Sequence, residues 1–249
     1  MQFLYPNQNQ HIDNPTVPVL SLPLRVGIAF VPPARGSGGY YSPTGPITEN
    51  TKVDLLKRVA GEFKALPYVG SIQVIPSGYL RPNGSFTNLD QLKDMFGVDI
   101  IVLVAYDQTQ FTNEGMLSFA YWTIVGAYVV QGEKNDTETL MEAVVYDIGS
   151  RKLLFRAPGT SQIKASSTPV NLSEQLEADR QKGFDEATTQ LIANLKTELD
   201  NFKTQIKDSP QDYHIERKPG YTGAGAIDAE FAVAIAGLAL TRFRRRKTQ

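Results

Sequence analysis

Among its 249 residues the chain has no cysteine, two histidines and one tryptophan. The absence of cysteine excludes disulfides, thiolate metal sites and a cysteine nucleophile. It leaves the compartment open, because such a chain suits both the cytosol and the bacterial envelope. His11 and His214 stand far apart in polar stretches near prolines, so neither reads as a ligand and no metal site is expected. Charge is nearly balanced, 26 acids against 25 bases. Five of those bases crowd into residues 242–247, which leaves the rest of the chain net negative. A body of that sign lacks the basic face that phosphate backbones require, so nucleic acid is not expected as a partner. No uninterrupted apolar run reaches the ~18 residues of a standard spanning helix. The first residues have neither a basic start nor an apolar stretch, so they are not a signal peptide.

What remains is 41% apolar, enough for one sizeable core. Residues 1–22 are polar and proline-rich and read as an extended leader. Residues 24–31 form a buried strand candidate, closed by Pro32 and Pro33. Residues 34–48 read as a long loop. Val53, Leu56, Val59, Ala60 and Phe63 then recur at helical spacing over 51–66, with Thr51 and Asp54 as a capping box and Pro67 as the stop. A second strand spans 71–76. Asn88 caps a short helix whose apolar face is Leu89, Leu92, Met95 and Phe96, ended by Gly97. Residues 98–106 are a continuous β-branched run that suits a central strand covered on both faces.

The second half is β-rich: a strand candidate at 117–131, a turn at 132–136, and a hairpin of 137–146 with 152–156, which residues 161–165 extend. A long helix over 173–207 follows, capped by Asn171 and Glu174. Its stripe is Phe184, Ala187, Leu191, Leu195, Leu199, Phe202 and Ile206. The expectation is a single mixed-sheet α/β domain over 23–207 with flanking helices, a flexible linker at 208–225, and a short apolar tail helix at 226–249.

Few residues suggest chemistry in the body. Gly36, Gly38 and Gly39 give a G-x-G without its third glycine or a following G-K-[S/T], and the next helix starts too late to receive a phosphate. The nucleotide-dependent enzyme is therefore the weakest alternative. Asp107, Glu114, Glu133, Asp136 and Asp147 are placed at strand ends and turns, where solubility and turn formation explain them. The aromatic string Phe119, Tyr121, Trp122 and Tyr128 lacks basic neighbours and reads as sheet packing or a protein-partner patch. No catalytic residue and no cofactor is expected.

The C-terminus is the most specific feature. Gly223, Ala224, Gly225 and Ala226 are small and disfavour a stable helix. Phe231, Val233, Ile235, Leu238 and Leu240 lie in an apolar run, and Arg242, Arg244, Arg245, Arg246 and Lys247 follow it. Asp228 and Glu230 are costly at the bilayer centre and cheaper at its interface. The basic cluster would hold its end on the cytoplasmic side. The alternative is an amphipathic helix docked on the body, its arginines complementing the helix dipole. Five bases in six residues exceed what a dipole needs.

This tripartite end resembles the GlyGly-CTERM tail, the sorting signal read by rhombosortase, a rhomboid-type intramembrane protease. In this chain the glycines alternate with alanine. The body resembles the rhombotarget lipoproteins through residues 22–33 (LPLRVGIAFVPP), 75–82 (IPSGYLRP), 97–99 (GVD), 121–128 (YWTIVGAY), 132–137 (GEKNDT) and 151–159 (RKLLFRAPG). The resemblance implies a non-enzymatic lipoprotein of the Gram-negative envelope. Its tail would be cut in the inner membrane near residues 223–226 on the way to the outer membrane and cell surface. Members begin with a lipobox cysteine, so the resemblance implies that Met1 stands where a signal and an acylated cysteine have been removed. More loosely, the element order resembles the α/β domains of envelope assembly lipoproteins of the curli-secretion and penicillin-binding-protein-activator type. That likeness supports an adaptor binding another envelope protein as an alternative.

Overall fold

The computed structural model describes residues 3–4, 16–32, 47–110, 136–164 and 172–221. In chain order the elements are β1 (Val19–Leu22), β2 (Leu24–Phe30), α1 (Glu49–Phe63), β3 (Val69–Val74), α2 (Ser85–Phe96), β4 (Ile100–Gln110), β5 (Asp136–Asp147), β6 (Leu153–Lys164), α3 (Leu172–Asp208) and β7 (His214–Arg217). The fold is mixed α/β. Five strands form one sheet in the order β3-β2-β4-β5-β6. β2 pairs parallel with β3 and β4, and the β4-β5-β6 half is antiparallel.

Because β3 and β4 flank β2 on opposite sides, right-handed crossovers place α1 and α2 on opposite faces of the sheet. α1 and α3 cover one face over a core that includes Ile28, Leu56, Val104, Met141, Ala157, Leu191 and Phe202. α2 covers the other through Leu89 and Leu92 on Ile101, Leu103 and Ile148. The continuous apolar run of β4 is what a strand buried on both faces requires.

α3 approaches the sheet closely because glycines face it. A side chain at Gly159 would meet Leu191 Cβ at 2.7 Å, and one at Gly183 would meet Thr139 Oγ1 at 2.6 Å. Towards its N-terminus the seam turns polar. Gln108 Nε2 donates to Thr139 Oγ1 (2.7 Å) and the Arg180 carbonyl (3.0 Å), and Gln110 Nε2 donates to Thr137 Oγ1 (3.2 Å) and the Leu176 carbonyl (2.7 Å). Two residues of strand rise ~6.8 Å and four of helix ~6 Å, so alternate glutamines meet carbonyls one turn apart.

Several expectations change. The leader is not free of the core: Phe3 and Leu4 are buried against α2, and the Phe3 carbonyl accepts from the Ser85 N–H. Val19–Leu22 pairs parallel with His214–Arg217, so the folded body extends past 23–207 into both the leader and the linker. Four-residue strands carry too little periodicity to register in a sequence. α1 is capped by Thr48, whose side chain accepts from the Thr51 N–H at 3.2 Å, rather than by a Thr51–Asp54 box. Asn88 lies inside α2, where its side chain accepts from the Arg81 N–H and donates to the Tyr79 carbonyl. Met95 points to solvent at 63% exposure, off the buried stripe of its helix. β6 is one strand through Lys164, and β4 continues to Gln110, which puts Asp107 within a strand instead of at its end. Gly97 does end α2, in the left-handed conformation at φ 64°. The loop at 34–48 (apart from Ile47 and Thr48), the strand at 117–131, most of the turn at 132–136, the Asn171 cap and the tail helix lie outside the described residues.

Candidate functional site

Gly223, Ala224, Gly225, Ala226, the apolar run from Phe231 to Leu240 and the basic cluster from Arg242 to Lys247 lie outside the described residues. What the structure does place is the point from which that tail leaves the body. β7 lies in register with β1, Val19 opposite His214 and Leu22 opposite Arg217. The His214 N–H donates to the Pro18 carbonyl and the Lys218 N–H to the Leu22 carbonyl, both at 2.9 Å. Leu20 and Tyr213 are buried in the α3 side of the core. The Tyr213 ring stands edge-on to Phe202, centroids 5.4 Å apart, with the Lys152 ammonium 4.6 Å from its centre. Burial also pushes the Tyr213 phenol above its ordinary pKa.

Beyond β7, the chain is tied to the edge of the sheet where the parallel strands begin. Arg25 forks onto Asp99, Nε to Oδ2 at 2.8 Å and Nη2 to Oδ1 at 2.7 Å. The Lys218 ammonium lies 3.6 Å from the same carboxylate. Burial alone would raise the Asp99 pKa. The hydrogen bonds and charge of Arg25, backed by Lys218 and Lys93, outweigh that and hold it below the ordinary range. Stability from this carboxylate is therefore present above the usual aspartate range and lost as pH falls through its lowered value. The last described tie is Tyr221, whose hydroxyl donates to the Pro67 carbonyl at 3.1 Å and whose N–H donates to the Lys218 carbonyl. Gly223 follows two residues later.

The opposite edge, at the C-terminal ends of β2 and β4, is where open α/β sheets bind ligands. The glycine-rich stretch at 36–39 lies outside the described residues. Nearby, the Glu49 carboxylate accepts from the Ser77 N–H at 2.8 Å, which together with Lys52 holds its pKa down. Of the acids singled out from the sequence, Asp107 is raised by burial in β4, and Asp147 is buried and accepts from the Ser150 N–H in the β5–β6 turn. Asp136 opens β5. Glu114, Glu133 and the aromatics Phe119, Tyr121, Trp122 and Tyr128 lie outside the described residues. Tyr106, pushed up to about 12 mainly by burial, donates to Gln108 Oε1. Among the described residues no group of three metal-ligating side chains converges, and no helix is long and apolar enough to cross a membrane. His214 is exposed beside Glu216 at 3.5 Å.

The sequence reading missed Arg25, Asp99, Lys218, Tyr213 and Tyr221 as a unit. The one local trace is the polar–apolar alternation of His214, Ile215 and Glu216; its partner strand stands 195 positions earlier.

No known family model and no curated protein matches the chain. Solved structures share partial likeness. The PelC dodecamer of Paraburkholderia phytofirmans is 10% identical, with 72% of this chain and 91% of that one covered and a TM-score of 0.32. Lipoprotein GNA1162 of Neisseria meningitidis is 14% identical, covering 63% and 96%, with a TM-score of 0.29. Protein XCC0632 of Xanthomonas campestris, of the DUF330 family, is 15% identical, covering 76% and 92%, with a TM-score of 0.36.

Proposed function

We propose that the chain is a non-enzymatic lipoprotein of the Gram-negative cell envelope, whose C-terminal tail is a sorting signal cut by a rhombosortase-type intramembrane protease. Phe231, Val233, Ile235, Leu238 and Leu240 partition into the inner membrane. The cluster from Arg242 to Lys247 holds its end in the cytoplasm. Gly223, Ala224, Gly225 and Ala226 disfavour a stable helix, since glycine loses more backbone entropy on ordering than any other residue, and so present an extended peptide to the protease. Once trimmed, the body is displayed at the cell surface. The observation that carries this reading is the order small, apolar, basic in residues 223–247. In support, the folded body holds the chain up to Tyr221, immediately before the stretch to be cut. Intact mass spectrometry of the protein from cells with and without the protease tests it. The expected loss is residues 224–249 for a cut after Gly223 and 227–249 for one after Ala226. Equal masses from the two strains overturn the reading.

A second reading, an adaptor for another envelope protein, is favoured by an asymmetry between the two sheet edges. β6 is blocked: Pro158 offers no N–H, its carbonyl accepts from Asn194 Nδ2 at 2.8 Å, and the Thr160 N–H is taken by Gln190 Oε1. β3, at the other edge, holds no charge and no proline. The Ile75 N–H donates to Ile28, so alternation turns the backbone of Ile72 and Val74 outward. Among the described residues none hydrogen-bonds to that edge. Such an edge accepts an added strand. A pull-down from envelope extracts is expected to capture a protein that the Gln73→Lys variant, with a charge on the exposed edge, fails to hold. Capture of the same set by both, or of nothing specific by either, sinks this reading.

A further inference from the structure

We propose that, while the tail is intact, the body lies with the starting edge of its parallel strands against the bilayer, and that Lys93 and Lys218 there contact anionic lipid headgroups. The inference rests on the membrane reading of the tail given above and adds which surface meets the lipid. Two observations carry it, the reach of the tether and the local charge.

The last described tie, Tyr221, hydrogen-bonds to Pro67 just ahead of β3, at the edge where β2, β3 and β4 all begin. The apolar run starts at Phe231, ten residues on. Ten residues span ~15 Å as helix and at most ~35 Å fully extended. β4 alone, at eleven residues, rises about 36 Å. A tether that first climbed the height of the sheet would have nothing left with which to cross the headgroups. With the finishing edge toward the bilayer the tether would have to be fully extended to clear β4, although β3 beside it is only six residues long, whereas the starting edge reaches the bilayer with length to spare.

Charge favours the same surface. The body as a whole is acidic and is repelled by anionic lipid, so any close approach must be local. At the tail exit Arg25, Lys218 and Lys93 outnumber the carboxylates Asp99 and Asp147, the last lying beside Gly149 as the Lys93 ammonium does. Arg25 neutralises Asp99 in a two-point pair, which leaves the ammonium groups of Lys218, 3.6 Å from Asp99, and of Lys93 against Asp147 alone, one positive charge in surplus. Two apolar side chains project at this end as well: Met95, in the last turn of α2, and Leu153, the first residue of β6. Basic groups beside exposed apolar ones are the chemistry of a membrane interface.

The absence of native cysteine makes the test direct. In the full chain, Gly149→Cys labels the starting edge and Gly78→Cys the finishing edge; both glycines are exposed. Each variant carries an environment-sensitive fluorophore and is reconstituted with phosphatidylglycerol/phosphatidylcholine vesicles containing a headgroup nitroxide lipid, with flotation reporting binding. The expected result is several-fold stronger quenching at position 149 than at 78. That difference should shrink in pure phosphatidylcholine and with Lys93→Glu/Lys218→Glu, while flotation through the tail persists. Equal quenching at both positions, or quenching unchanged by lipid charge and by the double variant, overturns the inference and leaves the tail reading standing. Failure of the full chain to float with any vesicle overturns both.

Discussion

Gly159→Val is expected to destabilise the protein by at least ~3 kcal/mol, the upper end for overpacking a core. Gly159 lies in β6, where α3 crosses nearest. An added Cβ would meet Leu191 Cβ at 2.7 Å and the Leu191 backbone nitrogen at 2.9 Å, and would also meet the Ala187 carbonyl. Two of those atoms are helix backbone, which cannot rotate away as a side-chain tip does. Relief requires α3 to lift along the seam it buries, opening contacts of Leu191, Ala187 and Met141 in the same cluster. Urea unfolding monitored by circular dichroism reads the loss directly, as a lower midpoint with little change in slope. Gly61→Ala in α1 supplies the opposite sign. Nothing lies within 4 Å of its Cβ, and alanine restricts the unfolded chain, so a gain of roughly 0.5–1 kcal/mol is expected. A Gly159→Val protein as stable as wild type means α3 does not seat on β6 as described.

Tyr213→Ala is expected to cost about 3–4 kcal/mol, the range for truncating a buried aromatic side chain. It should also release the chain that follows. Tyr213 is 6% exposed and closes an aromatic stack running from Phe155 through Phe202. Its removal takes away the main apolar contact holding β7 next to β1. What then holds this parallel pair of four residues per strand is Leu20, the Lys218–Asp99 contact and the Tyr221–Pro67 hydrogen bond, of which only Leu20 is buried. Amide hydrogen exchange should accordingly show His214, Glu216 and Lys218 losing protection while β4 and β5 keep theirs. The same measurement separates two pictures of residues 208–225. In a flexible linker Tyr213→Ala changes neither stability nor exchange. In the structure described here it changes both. Detaching β7 also lengthens the tether to the tail, so this variant should lose the edge preference expected of the intact protein on vesicles.

Much of the architecture is written locally in the chain. The β-branched run at 98–106 needs no partner to announce a central strand, because only a strand covered on both faces can keep so many apolar side chains from water. The stripe from Phe184 to Ile206 announces a helix with one buried face for the same reason. Proline at 67 and 210 and glycine at 97 mark ends through backbone sterics alone. The order of small, apolar and basic residues over 223–247, on which the proposed sorting signal rests, is likewise one-dimensional.

Tertiary structure decided whatever depends on residues distant in sequence. The pairing of Val19–Leu22 with His214–Arg217 makes a folded anchor from two segments that read separately as leader and linker. Met95 fits the expected apolar stripe of its helix yet faces solvent, in the last turn of α2 beyond the buried Leu89 and Leu92, where the packing against the sheet stops. Arg25, Asp99 and Lys218 converge only because parallel strands start at a common edge and β7 returns there. Hydrophobic periodicity is a property of one element and survives in the sequence. Register and convergence are properties of pairs, and they exist only once the sheet has brought both partners together.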